Sequence, residues 1–246
     1  MLASARQKAH RAAELVDAIR ALVEPLEAPN GVAILTEFDD RFEWVVALPE
    51  DTLQRAAILV GETAHAINSA LDHVWFEIIG APATWSPPFP LTDEDAQGEQ
   101  RKGRGTDALH QFLRSDEFRG VRVHLQVTRR LDEIDKHRRL VVAATQQTST
   151  TSTVFLGEPY RFDVGVTFGP LSSGAPLGTV WKEGLPRPLD ELGIAFDFVV
   201  SLHEDDALLA RLLPPGERIR PVPLLNAALS ALHTVIESFE RVSAER

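Results

Sequence analysis

Four polar residues interrupt an otherwise apolar segment in the first third of the chain: His65, Asn68, Asp72 and His73. Histidine and aspartate carry general acid–base chemistry, and asparagine can bind or orient a polar group. His65 and Asp72 are seven residues apart, so a helix would place them on nearly the same side. If that helix is central, these groups need partners, because burying an unpaired charge is costly.

A second group of candidate residues comprises Arg130, Asp135, His137 and Arg138. At about 100° per residue, Arg138 falls about 40° from the apolar Ile134 and therefore on the inward face of a helix. Arg130 and His137 nearly superpose in angle and border the same face. We assign Asp72, Arg130, His137 and Arg138 as candidate catalytic residues. The candidate binding residues are His65, Asn68, His73 and Asp135.

Cations on one inward helix face and a carboxylate on another buried helix predict a pair. We expect Asp72 to accept a charge-assisted hydrogen bond from Arg138 or His137. The same cluster has a purely architectural explanation, because buried Asp–Arg pairs often fix the register of two helices. Both interpretations remain open at this point.

The segments NSALDHVW (68–75) and LDEIDKHRRL (131–140) resemble a pair of motifs in uncharacterised bacterial proteins. Those proteins carry an SALDH-type helix and a later IDKHR-type helix, with β-strands around them. The resemblance covers mainly the two helices, with a weaker match in the order of the other elements. It implies a fold and no settled activity.

A looser resemblance is to HEPN-type helical ribonucleases, whose motif is an arginine, four to six residues and a histidine. Arg130 and His137 have this spacing, and Asp72 would be the facing carboxylate. The resemblance implies RNA cleavage without a metal. His137 would act as general acid or base, and Arg130 or Arg138 would stabilise the phosphate charge. It also implies a homodimer, because HEPN sites commonly lie at a dimer interface.

A third possibility is a small-ligand or metal-binding site. His73 and Glu77 are four residues apart, as are Glu133 and His137, so each pair could flank a cation from one helix. In the predicted helices, however, His73 and Glu133 point away from the apolar faces. Local pairing in solvent explains them better, and we predict neither a metal nor a cofactor.

Hydrophobic periodicity predicts the helices that position these residues. The predicted helices span 3–27, 50–80, 108–115, 121–144 and 222–243. Helix 50–80 is apolar nearly all round, which is typical of a central helix. Residues 81–107 show no clear periodicity, and we predict a mobile loop there.

Alternating apolar residues predict the strands. A hairpin is expected at 32–38 and 42–48, with Asp39 and Asp40 in its turn, and further strands at 162–168, 179–182 and 194–202. A polar linker is expected at 145–153. Short connections favour an antiparallel sheet. The sequence therefore predicts one α+β domain over 1–246, a helical bundle packed on a mostly antiparallel sheet.

Composition limits the remaining possibilities. The chain has 246 residues, no cysteine and a formal charge of −11. The absence of cysteine excludes thiolate metal sites and cysteine nucleophiles, and it is compatible with a reducing compartment. The acidic charge disfavours nucleic acid as a partner. With no signal-peptide pattern and no run of 18 apolar residues, we expect a cytoplasmic protein that does not span a membrane.

Overall fold

The computed structural model describes residues 2–80, 88–137, 142–146, 162–164, 171–182, 196, 198–202, 206–212 and 219–244. Within these residues the chain forms seven helices: α1 (Ala3–Glu27), α2 (Glu50–Ile79), α3 (Asp93–Arg101), α4 (Asp107–Leu113), α5 (Asp116–His137), α6 (Leu209–Leu212) and α7 (Pro221–Ala244). The long helices α1, α2 and α7 begin and end within one residue of their predicted bounds, because each has a continuous apolar face.

The described strands are β1 (Ala33–Glu37), β2 (Arg41–Val46), β3 (Val142–Gln146), β4 (Phe162–Val164), β5 (Pro176–Trp181) and β6 (Phe198–Leu202). Four of them form an antiparallel sheet in the order β1-β2-β5-β4, and β3 pairs with β6, also antiparallel. The β1–β2 hairpin and its turn are confirmed: the Phe38 N–H donates to the Arg41 carbonyl across Asp39 and Asp40. The fold class is α+β, as predicted.

The chain divides into two compact units. The first comprises 1–19, 57–140 and 204–246, and the second comprises 20–56 and 141–203. All six strands belong to the second unit. Each unit is built from stretches that are separated along the chain. The two units therefore do not correspond to two consecutive domains, and the single domain over 1–246 stays a prediction.

The predicted loop at 81–107 is wrong over part of its length. Residues 93–101 form α3, and a capping box starts this helix. The Thr92 side chain accepts from the Asp95 N–H at 3.0 Å, while the Asp95 carboxylate accepts from the Thr92 N–H at 3.2 Å. These local bonds satisfy the first amides of a helix that has too few apolar residues for a periodic signal. Residues 81–87 lie outside the described residues.

The predicted helix at 121–144 is wrong at both ends. The observed helix α5 begins at Asp116, and the Ser115 hydroxyl before it accepts from the Phe118 N–H at 3.2 Å. Val142–Gln146 are strand β3 instead of helix, so the predicted polar linker also begins too early. β-Branched residues favour a strand when a partner is present, and β6 is that partner. β5 begins three residues before its predicted start, and α6 was not predicted at all.

Aromatic side chains fill the core of the first unit. Phe89 is 1% exposed and packs at ring-centroid distances of 5.7–6.1 Å against Trp75, Phe118 and Phe239. Phe112 completes the group through Phe118 and Phe239. We call these five residues the aromatic core. Apolar burial of this kind is the main stabilising contribution to a helical unit.

One segment among the described helices, Pro221–Val242 of α7, is long and apolar enough to cross a membrane by length and composition alone. Half of that segment is buried inside the fold. A buried core helix has the same composition, so this is weak evidence for a membrane span.

Candidate functional site

Asp72 on α2 has two partners in the structure. It accepts from the Phe89 N–H at 2.8 Å and from Arg129 Nη2 of α5 at 3.1 Å. Arg129 Nη1 donates to the Phe89 carbonyl at 2.7 Å, so Asp72 and Arg129 together satisfy both backbone groups of Phe89. The predicted partners, Arg138 and the side chain of His137, lie outside the described residues, and that pairing stays a prediction. The observed pair fixes the chain where it enters the aromatic core.

A second polar cluster is centred on Asp132 of α5, which sequence reasoning missed. Its carboxylate lies 3.1 Å from His65 Nδ1 and accepts from Asn68 Nδ2 at 3.1 Å and Lys136 Nζ at 2.8 Å. Asp132 is buried, with only 8% of its side chain exposed, whereas 62% of His65 is exposed. The donors from α2 and α5 offset the cost of burying this carboxylate. The Asp132 cluster therefore ties the two helices together.

Asn68 belongs to this cluster through its amide N–H groups, which reach Asp132 and the Thr128 carbonyl. Its Oδ1 is buried and has no hydrogen-bond partner among the residues that the structure describes. His65 and Asn68, two predicted binding residues, are thus brought together by a third residue. Asp132 follows Thr128 by four residues and lies on the same helix face, but only the structure shows that this face is buried.

Asp135, another predicted binding residue, lies one turn further along α5 and packs on Gly61. Burial, together with the nearby charges of Asp132 and Glu62, raises the pKa of the Asp135 carboxyl. A Cβ added at Gly61 would lie 2.2 Å from Asp135 Oδ2. Gly61 is therefore the residue that lets α2 and the Asp135 side chain approach so closely.

This contact predicts that the effect of one substitution depends on another. In the wild type Gly61→Ala is expected to change stability little, because displacing the Asp135 carboxylate offsets the gain in helix propensity. In an Asp135→Ala background the same change is expected to stabilise by about 0.5–1 kcal/mol, the helix-propensity advantage of alanine over glycine. Urea unfolding of the four variants in a double-mutant cycle measures the difference. Equal effects in both backgrounds would contradict the contact.

Arg130, a predicted catalytic residue, is engaged by two carboxylates. Its Nε and Nη2 donate to Asp206 at 3.2 and 2.7 Å, and its Nη1 donates to Glu133 at 2.8 Å. The hydrogen bonds from Arg130, and a further one from the Leu209 N–H, lower the pKa of Asp206 to about 2. The same carboxylate accepts from the Leu208 N–H and so starts α6.

The lowered pKa of Asp206 predicts that the free energy of unfolding depends on pH. Its folded pKa is lower than its ordinary value, so its contribution is present at neutral pH and is lost as the pH falls from about 4 towards 2. Asp206→Asn is expected to be less stable than the wild type at pH 7, with the difference narrowing over that interval. Urea unfolding at several pH values measures this. Asp39→Asn, at an exposed position in the β1–β2 turn, serves as the control and should change stability less than Asp206→Asn at pH 7.

The remaining candidates show weaker contacts. His73 Nδ1 lies 3.5 Å from the Ser4 hydroxyl, at the limit of a hydrogen bond. Among the described residues, no group of three or more histidines and carboxylates is arranged to hold a metal ion. The His73–Glu77 alternative thus receives no further ligand in that part of the chain. The Glu133–His137 alternative cannot be placed, since the His137 side chain is outside the described residues.

A pocket of about 200 Å³ opens beside the Arg130 cluster, and we call it the α5 pocket. Its floor is one face of α5, formed by residues at helical spacing: Gln126, Arg129, Arg130 and Glu133. Its walls come from the start of α3 and from α6, and comprise Leu91, Thr92, Asp95, Leu208 and Leu212. The lining therefore combines three leucines with charged and polar side chains.

Sequence reasoning identified Arg130 on this floor but missed its neighbours. Arg129 falls about 140° from Ile134 at about 100° per residue, so periodicity does not place it on the inward face. Asp206 lies in a His-Glu-Asp-Asp stretch that carries no sequence signal for a distant partner. The 3.6-residue spacing of Gln126, Arg129, Arg130 and Glu133 was the one available clue.

A scan of the chain against protein-family models and searches of curated proteins and solved structures each found no match.

Proposed function

We propose that this chain is a binding protein for a small molecule, and that the α5 pocket is the binding site. The observation that carries the proposal is the pocket itself, a concave site lined by three leucines together with charged and polar side chains. Binding sites for small molecules have this combination of apolar wall and a few placed polar groups.

The pocket is smaller than the 300–1,000 Å³ that is typical for drug-sized ligands. Its volume of about 200 Å³ admits only a small ligand. A ligand of comparable size has few non-hydrogen atoms, such as a short-chain metabolite or the end of a longer molecule. The floor is held in place for such a ligand, because Asp72 fixes Arg129 and Asp206 fixes Arg130.

Binding explains the contacts better than ribonuclease chemistry. A catalytic arginine must turn its N–H groups towards the phosphate charge that develops in the transition state. Arg130 instead directs three nitrogens to Asp206 and Glu133. Phosphate binding would have to displace two carboxylates, and the net charge of −11 adds further repulsion.

The test is a ligand screen by two-dimensional NMR on the full chain, using a panel of small acids, amines, alcohols and zwitterions. We expect at least one compound to shift amide signals of Gln126, Arg129, Arg130 and Glu133 in a saturable way. Leu208→Trp is expected to weaken that binding tenfold or more, about 1.4 kcal/mol, because an indole at the rim fills the small pocket.

Ile58→Trp provides the matched control. Ile58 is 43% exposed on α2, close to the 47% of Leu208, and it does not line the pocket. The control should bind as the wild type does. Shifts that spread over the whole spectrum, or equal binding by both tryptophan variants, would contradict the proposal.

A further inference from the structure

We propose that the ligand of the α5 pocket is a small organic cation, an ammonium group carried on a short apolar chain. This inference rests on the proposed function, because it concerns the same site. Three features of the pocket carry it: the balance of charge, the unused hydrogen-bond acceptors and the position of the leucines.

The balance of charge around the floor is negative. Arg129 and Arg130 are its two cations, and Asp95 and Glu133 are the two carboxylates in the lining. Behind the lining, Asp72 pairs with Arg129 and Asp206 pairs with Arg130. Two cations against four carboxylates leave a formal charge of about −2, which attracts a cation and repels an anion.

The hydrogen-bonding groups point to the same ligand. Arg130 directs Nε, Nη1 and Nη2 to carboxylates, and Arg129 directs both of its Nη atoms to Asp72 and the Phe89 carbonyl. Arg129 Nε has no acceptor in the described part of the chain, so the preference for a cation comes from the charge balance together with the acceptors of Glu133 and Asp95. Glu133 uses only Oε2 and Asp95 uses only Oδ2 for the described hydrogen bonds. Glu133 Oε1 and Asp95 Oδ1 thus have no partner in the described part of the chain. They can accept from an ammonium group, which is a donor alone.

The helix termini do not reverse this preference. The start of α3 forms part of the wall, and a helix N-terminus normally attracts anions. Here its first turn contains Asp93, Glu94 and Asp95, whose negative charges oppose a second anion, and the capping box uses the Asp95 N–H and the Thr92 N–H. The leucines Leu91, Leu208 and Leu212 provide the surface for an alkyl chain. A bare metal ion would make no use of that surface.

The experiment uses three four-carbon probes, n-butylammonium, 1-butanol and butyrate, each titrated into the full chain at pH 7 and low salt. Amide shifts of the α5 floor are followed by NMR. We expect butylammonium to bind at least fivefold more tightly than either of the other two. Glu133→Gln is expected to weaken butylammonium binding about fivefold, the effect of one partly exposed charge, and to leave 1-butanol unchanged.

Glu94→Gln is the matched control, since Glu94 is exposed on α3 and does not line the pocket. It should bind all three probes as the wild type does. If butyrate or 1-butanol binds as well as butylammonium, or if only another compound of the wider panel binds, the cation inference is overturned and the proposed pocket stands. If no compound shifts the α5 floor, both are wrong.

Discussion

Replacing Phe89 with alanine is expected to lower the free energy of unfolding by about 3–5 kcal/mol, the range for a buried phenylalanine. Phe89 is 1% exposed and contacts three other aromatic rings of the aromatic core. Its removal leaves a cavity that the surrounding rings cannot close. Urea unfolding, followed by tryptophan fluorescence and circular dichroism, measures the loss.

Phe38→Ala is the control for the same chemical change at the surface. Phe38 is 39% exposed, and its ring lies 4.5 Å from the Arg41 guanidinium carbon. Loss of that contact is expected to cost about 1 kcal/mol or less. A similar loss for both variants would mean that Phe89 does not lie in the core.

Replacing Asp132 with alanine is expected to destabilise the chain by about 1–3 kcal/mol, the effect of leaving buried donors without their acceptor. Asn68 is 4% exposed and would lose its carboxylate partner, whereas the exposed His65 and Lys136 can turn to water. Most of the loss should therefore arise from Asn68. Chemical unfolding at pH 7 measures it.

Asp135→Ala tests the same helix with the opposite expected sign. The pKa of Asp135 is raised, so its ionised form is less favourable in the folded state than in the unfolded state. Removing it should stabilise the chain at pH 7, and this gain should disappear as the pH falls and the wild-type carboxyl becomes protonated. If Asp132→Ala and Asp135→Ala lower the free energy of unfolding equally, the environments of the two carboxylates do not explain either effect.

Helix α5 has two polar faces with different contacts. Its Asp132 face is committed to α2, and its Arg129 and Arg130 face forms the floor of the α5 pocket. If Asp132→Ala unfolds the pocket as well, ligand affinity and stability should fall together. The Glu133→Gln variant avoids this coupling, because Glu133 is 48% exposed and contacts no residue of α2 in the described hydrogen bonds.

The amino-acid sequence by itself determined the long elements. The helices α1, α2 and α7 and the β1–β2 hairpin lie where periodicity predicts them, since an apolar face with a fixed repeat can be buried in only one kind of element. The sequence also identified His65, Asn68, Asp72 and Arg130 as polar residues in need of partners. That inference requires only the cost of burying a polar group.

The tertiary structure alone decided which residues pair with them. Asp72 is bound to Arg129, and Arg130 to Asp206 across 76 positions of the chain. It also decided that Val142–Gln146 form a strand, because β6 is adjacent. Helical angle gives the side of a helix on which a residue lies. It gives neither the neighbouring element nor the depth of burial, and these depend on contacts between distant parts of the chain.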